Sequence, residues 1–412
     1  MSGGLPPARS GRPGRLFQRP LSGAALALLV CLLGATGGCA PGGGASPAGG
    51  PGTGEGLRVG EILGGDSLEG YLRATGPRPL DFPADHGPHP GFRTEWWYLT
   101  GHLGGSKGEP FGFQLTFFRI ALAPPSGDRA PRGSAWATDQ LYMAHLALTD
   151  VSRRRFYAFE RFRRPALGLA GAQAQPFRVW LDRWEIRGPE DGSDIWPLRL
   201  SAQEDGVGLE LELTDRRGRI LQGDRGYSRK GPEPGDASFY YSYPRLEARG
   251  RVVTEEGSVA VSGTAWLDRE WSTSALGEGV VGWDWFSLQL ADDRELMIFL
   301  LRRRDGSLDR FNDGTLVAAD GSTRRIGPED FSLRVLDRWR AEDGVTYPSR
   351  WRLRIPSEEL DLEVVPRLED QELRLSVRYW EGAVTVQGTS RGNKVGGVGY
   401  AELTGYAGAG RR

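Results

Sequence analysis

Along most of this chain apolar and polar residues alternate with a period of two, in runs too short for helices. Between residues 139 and 150, Tyr142, Ala144, Leu146 and Leu148 fall on one face, and Met143, His145, Ala147 and Thr149 on the other. His145 thus shares a face with smaller residues, as the interior of a barrel would allow. The same β-branched and aromatic texture predicts strands over 111–120, 178–186, 198–202, 209–214 and 239–253, the last broken at Pro244. In the second half it predicts 259–266, 283–290, 295–302, 315–319 and 331–339, then 349–355, 360–365, 373–379, 383–388 and 399–406. Turns of the type Asp-Gly, Glu-Asp-Gly and Arg-Arg-Gly recur between the runs, as hairpins require. Only 57–72 reads as a short helix, with Glu61, Asp66 and Glu69 outward. An all-β chain in two hairpin-connected halves fits two closed or nearly closed antiparallel barrels, which remove sticky edges and can enclose a cavity.

The N-terminus does not share this texture. Arg9, Arg12, Arg15 and Arg19 precede an apolar run over 21–33, followed by small residues, the order of an export signal. Thr36-Gly37-Gly38-Cys39 resembles a bacterial lipobox with Thr in place of the usual Leu, so Cys39 is the candidate lipidation site. Residues 1–39 then form the signal, 40–56 a Gly/Pro/Ala tether, 57–84 an extension, 85–248 the first barrel and 249–412 the second. The expected location is outside the cytoplasm: an anchored lipoprotein, or a periplasmic or secreted protein. Cys31 lies inside the apolar run and leaves with it, so no cysteine pair remains for a disulfide or a thiolate metal site.

Charge narrows the partners. The net charge is −1, and no global field favours nucleic acid or an anionic membrane surface. The 412 residues suffice for two ordinary cores, and 13 Trp punctuated by 61 Gly reinforce the barrel reading.

The chain is organised around 85–103, which holds His86, His89 and His102, three of its four histidines, and Glu95 followed by Trp96, Trp97 and Tyr98. An echo follows at Asp284-Trp285-Phe286. Pairing it with Glu95-Trp96-Trp97, and Phe117-Phe118-Arg119 with Leu300-Leu301-Arg302, suggests an internal duplication.

Three groups set carboxylates among aromatic rings. The first is Glu95 with Trp96, Trp97 and His102. The second is Trp266, Asp268, Glu270 and Trp271 with Trp283, Asp284 and Trp285. The third is Tyr379-Trp380-Glu381 with Tyr400, Glu402 and Tyr406. An acid lodged against apolar rings has its neutral form favoured, and ring faces stabilise a carbocation; together these can protonate an alkene. The structural alternative is that Arg269 and Arg302 stack on Trp and pair with carboxylates to close the barrel ends. His86, His89 and His102 invite a metal reading, but His86 and His89 sit in a Gly/Pro loop and no helical HExxH occurs, so no metal is expected. No G-x-S-x-G elbow and no Walker or Rossmann glycine pattern appears, which argues against an α/β-hydrolase, an ATPase or a dehydrogenase.

At these motifs the chain resembles the family that contains hydroxyneurosporene synthase, the carotenoid 1,2-hydratase, together with AttH-like proteins. The resemblance rests on His89-Pro90, Glu95 to Tyr98 and Gly101-His102-Leu103, on Trp266 to Trp271 with Trp283 to Phe286, and on Tyr379 to Gly382 with Gly399 to Tyr406, so it covers roughly 85–408. It implies two packed lipocalin-like antiparallel β-barrels, no cofactor and a hydrophobic ligand. It also implies that Asp268, near Trp266, protonates a terminal double bond, whereas the His-x-Trp element of those hydratases is replaced here by Phe239 to Pro244. Two functions stay open beside a purely structural scaffold. One is an exported binder of a lipid or isoprenoid-like molecule, anchored to the membrane and partnering a transporter. The other is a cofactor-independent lyase, hydratase or hydrolase. Both place the ligand against Glu95, Trp96, Trp97, His102, His145, Glu270, Trp271, Trp283 and Trp285.

Overall fold

The computed structural model describes Met1 and residues 68–125, 138–274, 276–277 and 279–407. The export signal, Cys39, the tether and most of the 57–72 helix lie outside these residues. Residues 68–72 are turn and coil.

The first half opens with a four-strand meander, β1 (Thr94–Gly105), β2 (Pro110–Ala121), β3 (Gln140–Asp150) and β4 (Arg155–Arg163). A second meander follows through β5 (Ala170–Ala174), β6 (Phe177–Leu181), β7 (Trp184–Arg187), β8 (Leu198–Glu204) and β9 (Val207–Asp215). Short β10 (Ile220–Leu221) and β11 (Tyr227–Arg229) lead to the long pair β12 (Ala237–Thr254) and β13 (Gly257–Ser272). The order is β4-β3-β2-β1-β13-β12-β9-β8-β7-β6-β5, so the first and last strands are neighbours. The sheet curls far enough for β6 to lie against β3 and β4.

The second half repeats this plan. Its first meander is β14 (Val280–Leu290), β15 (Glu295–Arg303), β16 (Asp313–Val317) and β17 (Thr323–Ile326). Next come β18 (Ser332–Arg340), β19 (Thr346–Ile355), β20 (Leu360–Pro366), β21 (Glu372–Arg374), β22 (Arg378–Ser390) and β23 (Asn393–Leu403). Again a four-strand meander is followed by a return whose final strand pairs with the first, in the order β17-β16-β15-β14-β23-β22-β20-β19-β18. The duplication suggested by the Glu95 and Asp284 motifs is thus one of topology, and each motif lies on the opening strand of its sheet.

Several boundaries differ from the sequence reading for local reasons. The changeover between sheets falls at 273–279, downstream of the 248/249 division, which lies inside β12. Pro244 does not break its strand; β12 absorbs it in a bulge between Tyr243 and Leu246, where a missing N–H costs no ladder bond. The run 178–186 is cut by Asp182 at φ 53°, giving a β6–β7 hairpin.

Strand alternation sends the two faces of the central strands to different cores. Trp97, Leu99 and Leu103 of β1 join Trp271 and Leu267 of β13 inside the first barrel. Phe286 and Leu288 of β14 face Trp351 and Trp380 inside the second. The opposite faces meet in a seam, where Tyr98, Tyr240 and Trp266 pack against Trp285, Phe299 and Leu301. His145 belongs to this seam and not to a barrel interior: its neighbours Met143 and Ala147 pack against Leu373 and Tyr379 of the second sheet.

Candidate active site

The seam holds a partly open cavity whose empty space, its solvent-filled mouth included, is about 910 Å3. The first sheet lines it with Trp96 and Tyr98 on β1, Phe118 on β2, His145 on β3, and Asp268 and Glu270 on β13. From the second sheet come Trp283 and Trp285 on β14, Leu301 on β15, Tyr379 and Glu381 on β22, and Glu402 on β23. The walls are mostly apolar or aromatic, yet four carboxyls reach this space, those of Asp268, Glu270, Glu381 and Glu402. Asp268, Glu270 and Glu381 count among the buried polar residues.

Asp268 is held on both oxygens. Trp266 Nε1–H at 2.6 Å and the Ser242 hydroxyl at 2.5 Å donate to Oδ1, and the Tyr240 hydroxyl donates to Oδ2 at 2.6 Å. Trp285 Nε1–H donates to the Tyr240 oxygen at 3.1 Å. These donors favour the carboxylate, but burial outweighs them and pushes Asp268 up to about 7. Glu402 accepts a bond of 3.0 Å from Trp283 Nε1–H, and burial pushes it up to about 7 as well. Glu270 accepts from the Ser238 hydroxyl and lies 3.5 Å from Lys230 Nζ, which sits 3.6 Å above the Phe299 ring.

Glu381 is different. Burial, reinforced by the Glu402 charge, pushes it well above the carboxylate range. Among the described residues neither of its oxygens has a hydrogen-bond partner. The Tyr98 and Tyr379 hydroxyls face it outside hydrogen-bond geometry, near enough to bear on its ionisation.

Not every motif acid reaches the cavity. Glu95 points into the first barrel, where Arg119 Nε and Arg269 Nη2 donate to it together with the His89 backbone N–H at 2.9 Å. Burial raises it, but the two guanidiniums outweigh burial and hold it well below the usual carboxylate range. Arg269 lies 4.0 Å above the Trp97 ring, and His89 stacks on Trp271 at 3.9 Å. Trp97, Trp271 and Glu95 are therefore parts of a barrel closure. Asp284 is its counterpart in the second sheet, accepting from Arg302 Nε at 2.9 Å and from the Tyr406 hydroxyl at 3.0 Å.

The histidines diverge. His86 Nδ1 lies 2.7 Å from the Tyr241 hydroxyl, His89 bridges Asp85 and Glu95, and His102 Nε2–H donates to the Gly399 carbonyl at 2.6 Å. Among the described residues no three His, Cys, Asp or Glu side chains are grouped to hold a metal ion.

Of the expected site residues, Asp268, Trp96, His145, Glu270, Trp283 and Trp285 meet at the cavity, and Trp266 touches it through Asp268. Glu95, Trp97, Trp271 and His102 do not line it. Sequence reasoning did not assign Tyr98, Lys230, Tyr240, Tyr379, Glu381 or Glu402 to the site. The signal for Glu381 and Glu402 was present, since both lie in the third acid-and-aromatic group.

Fold and cavity define a tandem lipocalin-like β-barrel protein with an aromatic-lined cavity between the barrels. The model of the AttH-like family matches residues 73–406, and the chain belongs to that family. A solved structure of a protein assigned as AttH from Nitrosomonas europaea is 37% identical, with 81% of this chain and 99% of that chain covered at a TM-score of 0.71. Kievitone hydratase of Fusarium solani subsp. phaseoli is 23% identical over 220 residues, which are 51% of this chain and 60% of that protein. A kievitone hydratase structure from Nectria haematococca shares the fold at 16% identity, covering 85% of this chain and 95% of that one with a TM-score of 0.61.

Proposed function

We propose that this protein is a cofactor-independent acid–base enzyme that adds water to, or removes it from, an apolar substrate bound in the seam. The observation that carries this is Asp268: a fully buried carboxyl among indole and phenol rings, pushed up to about 7, where it exchanges protons near neutral pH. Ring faces on both sheets supply the surface on which a cationic intermediate is stabilised. The similarity to kievitone hydratase supports water addition as the reaction class and makes kievitone the first compound to try.

The same cavity supports a second reading, an exported carrier that holds a lipid or isoprenoid-like molecule and passes it to a membrane transporter, with Cys39 as anchor. Its apolar walls favour this reading. The buried carboxyls favour turnover, because each costs desolvation that a passive apolar pocket would not need.

The test is kievitone incubated with the full chain and with Asp268→Asn in water enriched in 18O, followed by mass spectrometry. Labelled product with the wild type alone, and retained kievitone binding in the variant, support the enzyme. Tight binding without product by either protein, or an apolar molecule that co-purifies in stoichiometric amount, favours the carrier.

A further inference from the structure

Two carboxyls of the cavity differ in how their oxygens are used. Both oxygens of Asp268 accept hydrogen bonds, three in all, as a carboxylate's do. Both oxygens of Glu381 are unpartnered among the described residues, in a side chain 1% exposed that lines the cavity. A buried charge without partners is expensive, so a carboxyl so placed is kept as the neutral acid with its O–H free for a ligand.

Glu381 also faces the inner end of a chain of polar groups that crosses from one sheet to the other. Tyr379, two residues before it on β22, has its hydroxyl 2.8 Å from His145 Nδ1. His145 Nε2 has no hydrogen-bond partner among the described residues but lies 3.3 Å from Glu160 Oε2, its cross-strand neighbour on β4, so a small reorientation joins them. The Glu160 side chain is 16% exposed and is fixed by the Ser376 hydroxyl, so this chain ends at solvent. Around Glu381 stand Tyr98 from β1, Glu402 and Tyr400 from β23, and Tyr379 from its own strand. No cation is among them.

We propose that Glu381, and not Asp268, delivers the proton to the substrate, and that Tyr379, His145 and Glu160 conduct its replacement from solvent. The proposal rests on the hydratase reading above and fixes which acid plays which part. Glu381 transfers its proton to one alkene carbon; the π bond breaks, a C–H bond forms, and a carbocation is left over the aromatic wall. The oxygen of a water molecule bonds to the cation, and the proton it sheds passes to the Asp268 carboxylate. A small turn of the Tyr379 hydroxyl brings it within hydrogen-bond reach of Glu381, which regains a proton from it; Tyr379 takes one from His145 Nδ1, and His145 is resupplied at Nε2 from Glu160 and solvent. Asp268 releases its proton as product leaves and water re-enters, so the net change is one water added across one double bond.

The test is infrared spectroscopy of the full chain at about two pH units above 7, where Asp268 and Glu402 are ionised, with and without kievitone as probe. A protonated-carboxyl band is expected in the wild type and in Asp268→Asn, and its loss is expected in Glu381→Gln. After rapid mixing into D2O the band shifts as the carboxyl exchanges; Tyr379→Phe, which leaves Glu381 in place, is expected to slow that shift several-fold, and Glu160→Gln to slow it less. Persistence of the band in Glu381→Gln overturns the assignment of the acid, and unchanged exchange in Tyr379→Phe overturns the path. If kievitone is hydrated, Glu381→Gln is expected to lower kcat by about 10²-fold or more with little change in KM. If the band and its exchange behave as stated while the wild type hydrates nothing, the proton path stands and the hydratase reading has failed.

Discussion

Tyr98 and Asp268 stand directly opposite each other across β1 and β13. Directly paired residues of an antiparallel ladder point to the same face, so both enter the seam, where the Tyr98 hydroxyl faces Glu381 of the other sheet. One phenol therefore lies between the principal carboxyls of the two barrels, and the site needs both sheets in register.

Asp268→Asn keeps the shape of the side chain and one of its two acceptor oxygens but removes its titration. Turnover of kievitone is expected to fall by about 10²- to 10⁴-fold. Binding measured by fluorescence quenching of the seam tryptophans is expected to change little. A variant that no longer binds would assign Asp268 to recognition instead.

The raised carboxyls make a signed prediction about pH. Asp268 and Glu402 titrate at about 7 in the folded protein, above their ordinary values of 3.8 and 4.5. Their contribution to stability is full below the ordinary carboxylate range and is lost as pH rises through about 7. His86 and His102, lowered by burial to about 3, act oppositely: their contribution is lost as pH falls below their ordinary 6.5. The informative quantity is therefore the difference between wild type and Asp268→Asn. By calorimetry, the variant's Tm should gain on that of the wild type as pH rises from 5 to 8, because it has no charge to bury.

Glu95→Ala removes the counter-charge of Arg119 and Arg269, both buried. Leaving such cations unpaired costs about 3–5 kcal/mol, far more than truncating an exposed acid. Urea unfolding should show it as a lower midpoint at similar slope. A loss below about 1 kcal/mol, the level of a surface ion pair, would mean that the closure contributes little.

Leu301→Trp places an indole in the cavity that Leu301 lines. Because that space is open, the overpacking cost should fall short of the roughly 1–3 kcal/mol seen in filled cores. Kievitone binding should be lost while the Tm stays close to that of the wild type. Undiminished binding would move the ligand elsewhere.

The fold was legible because its information is local: alternation over 139–150, glycine turns and repeated acid–Trp motifs each report on a few neighbouring residues. The site was only half legible for the same reason. In β1 both faces are buried, so Trp96 and Trp97 look equivalent in sequence, although one faces the seam and the other the first core. Glu95 carries the most conspicuous motif, yet the arginines that neutralise it are 24 and 174 residues away. Glu381 could be noticed beside Tyr379 and Trp380, but not that its oxygens would lack partners, because that depends on which strand of the other half arrives opposite. β4 was missed outright, since every residue between its exposed ends Arg155 and Arg163 is half-buried and no two-residue alternation marks the strand.

Each barrel has its own packed core, and the seam cavity belongs to neither. Substitutions among the seam residues therefore leave both cores intact, while any small rotation of one barrel against the other re-spaces all the reactive groups together. Under the proposed function, selectivity for a new substrate can be reached by such a rotation, without redesign of a core, and the proposed chemistry is correspondingly sensitive to anything that prises the two halves apart.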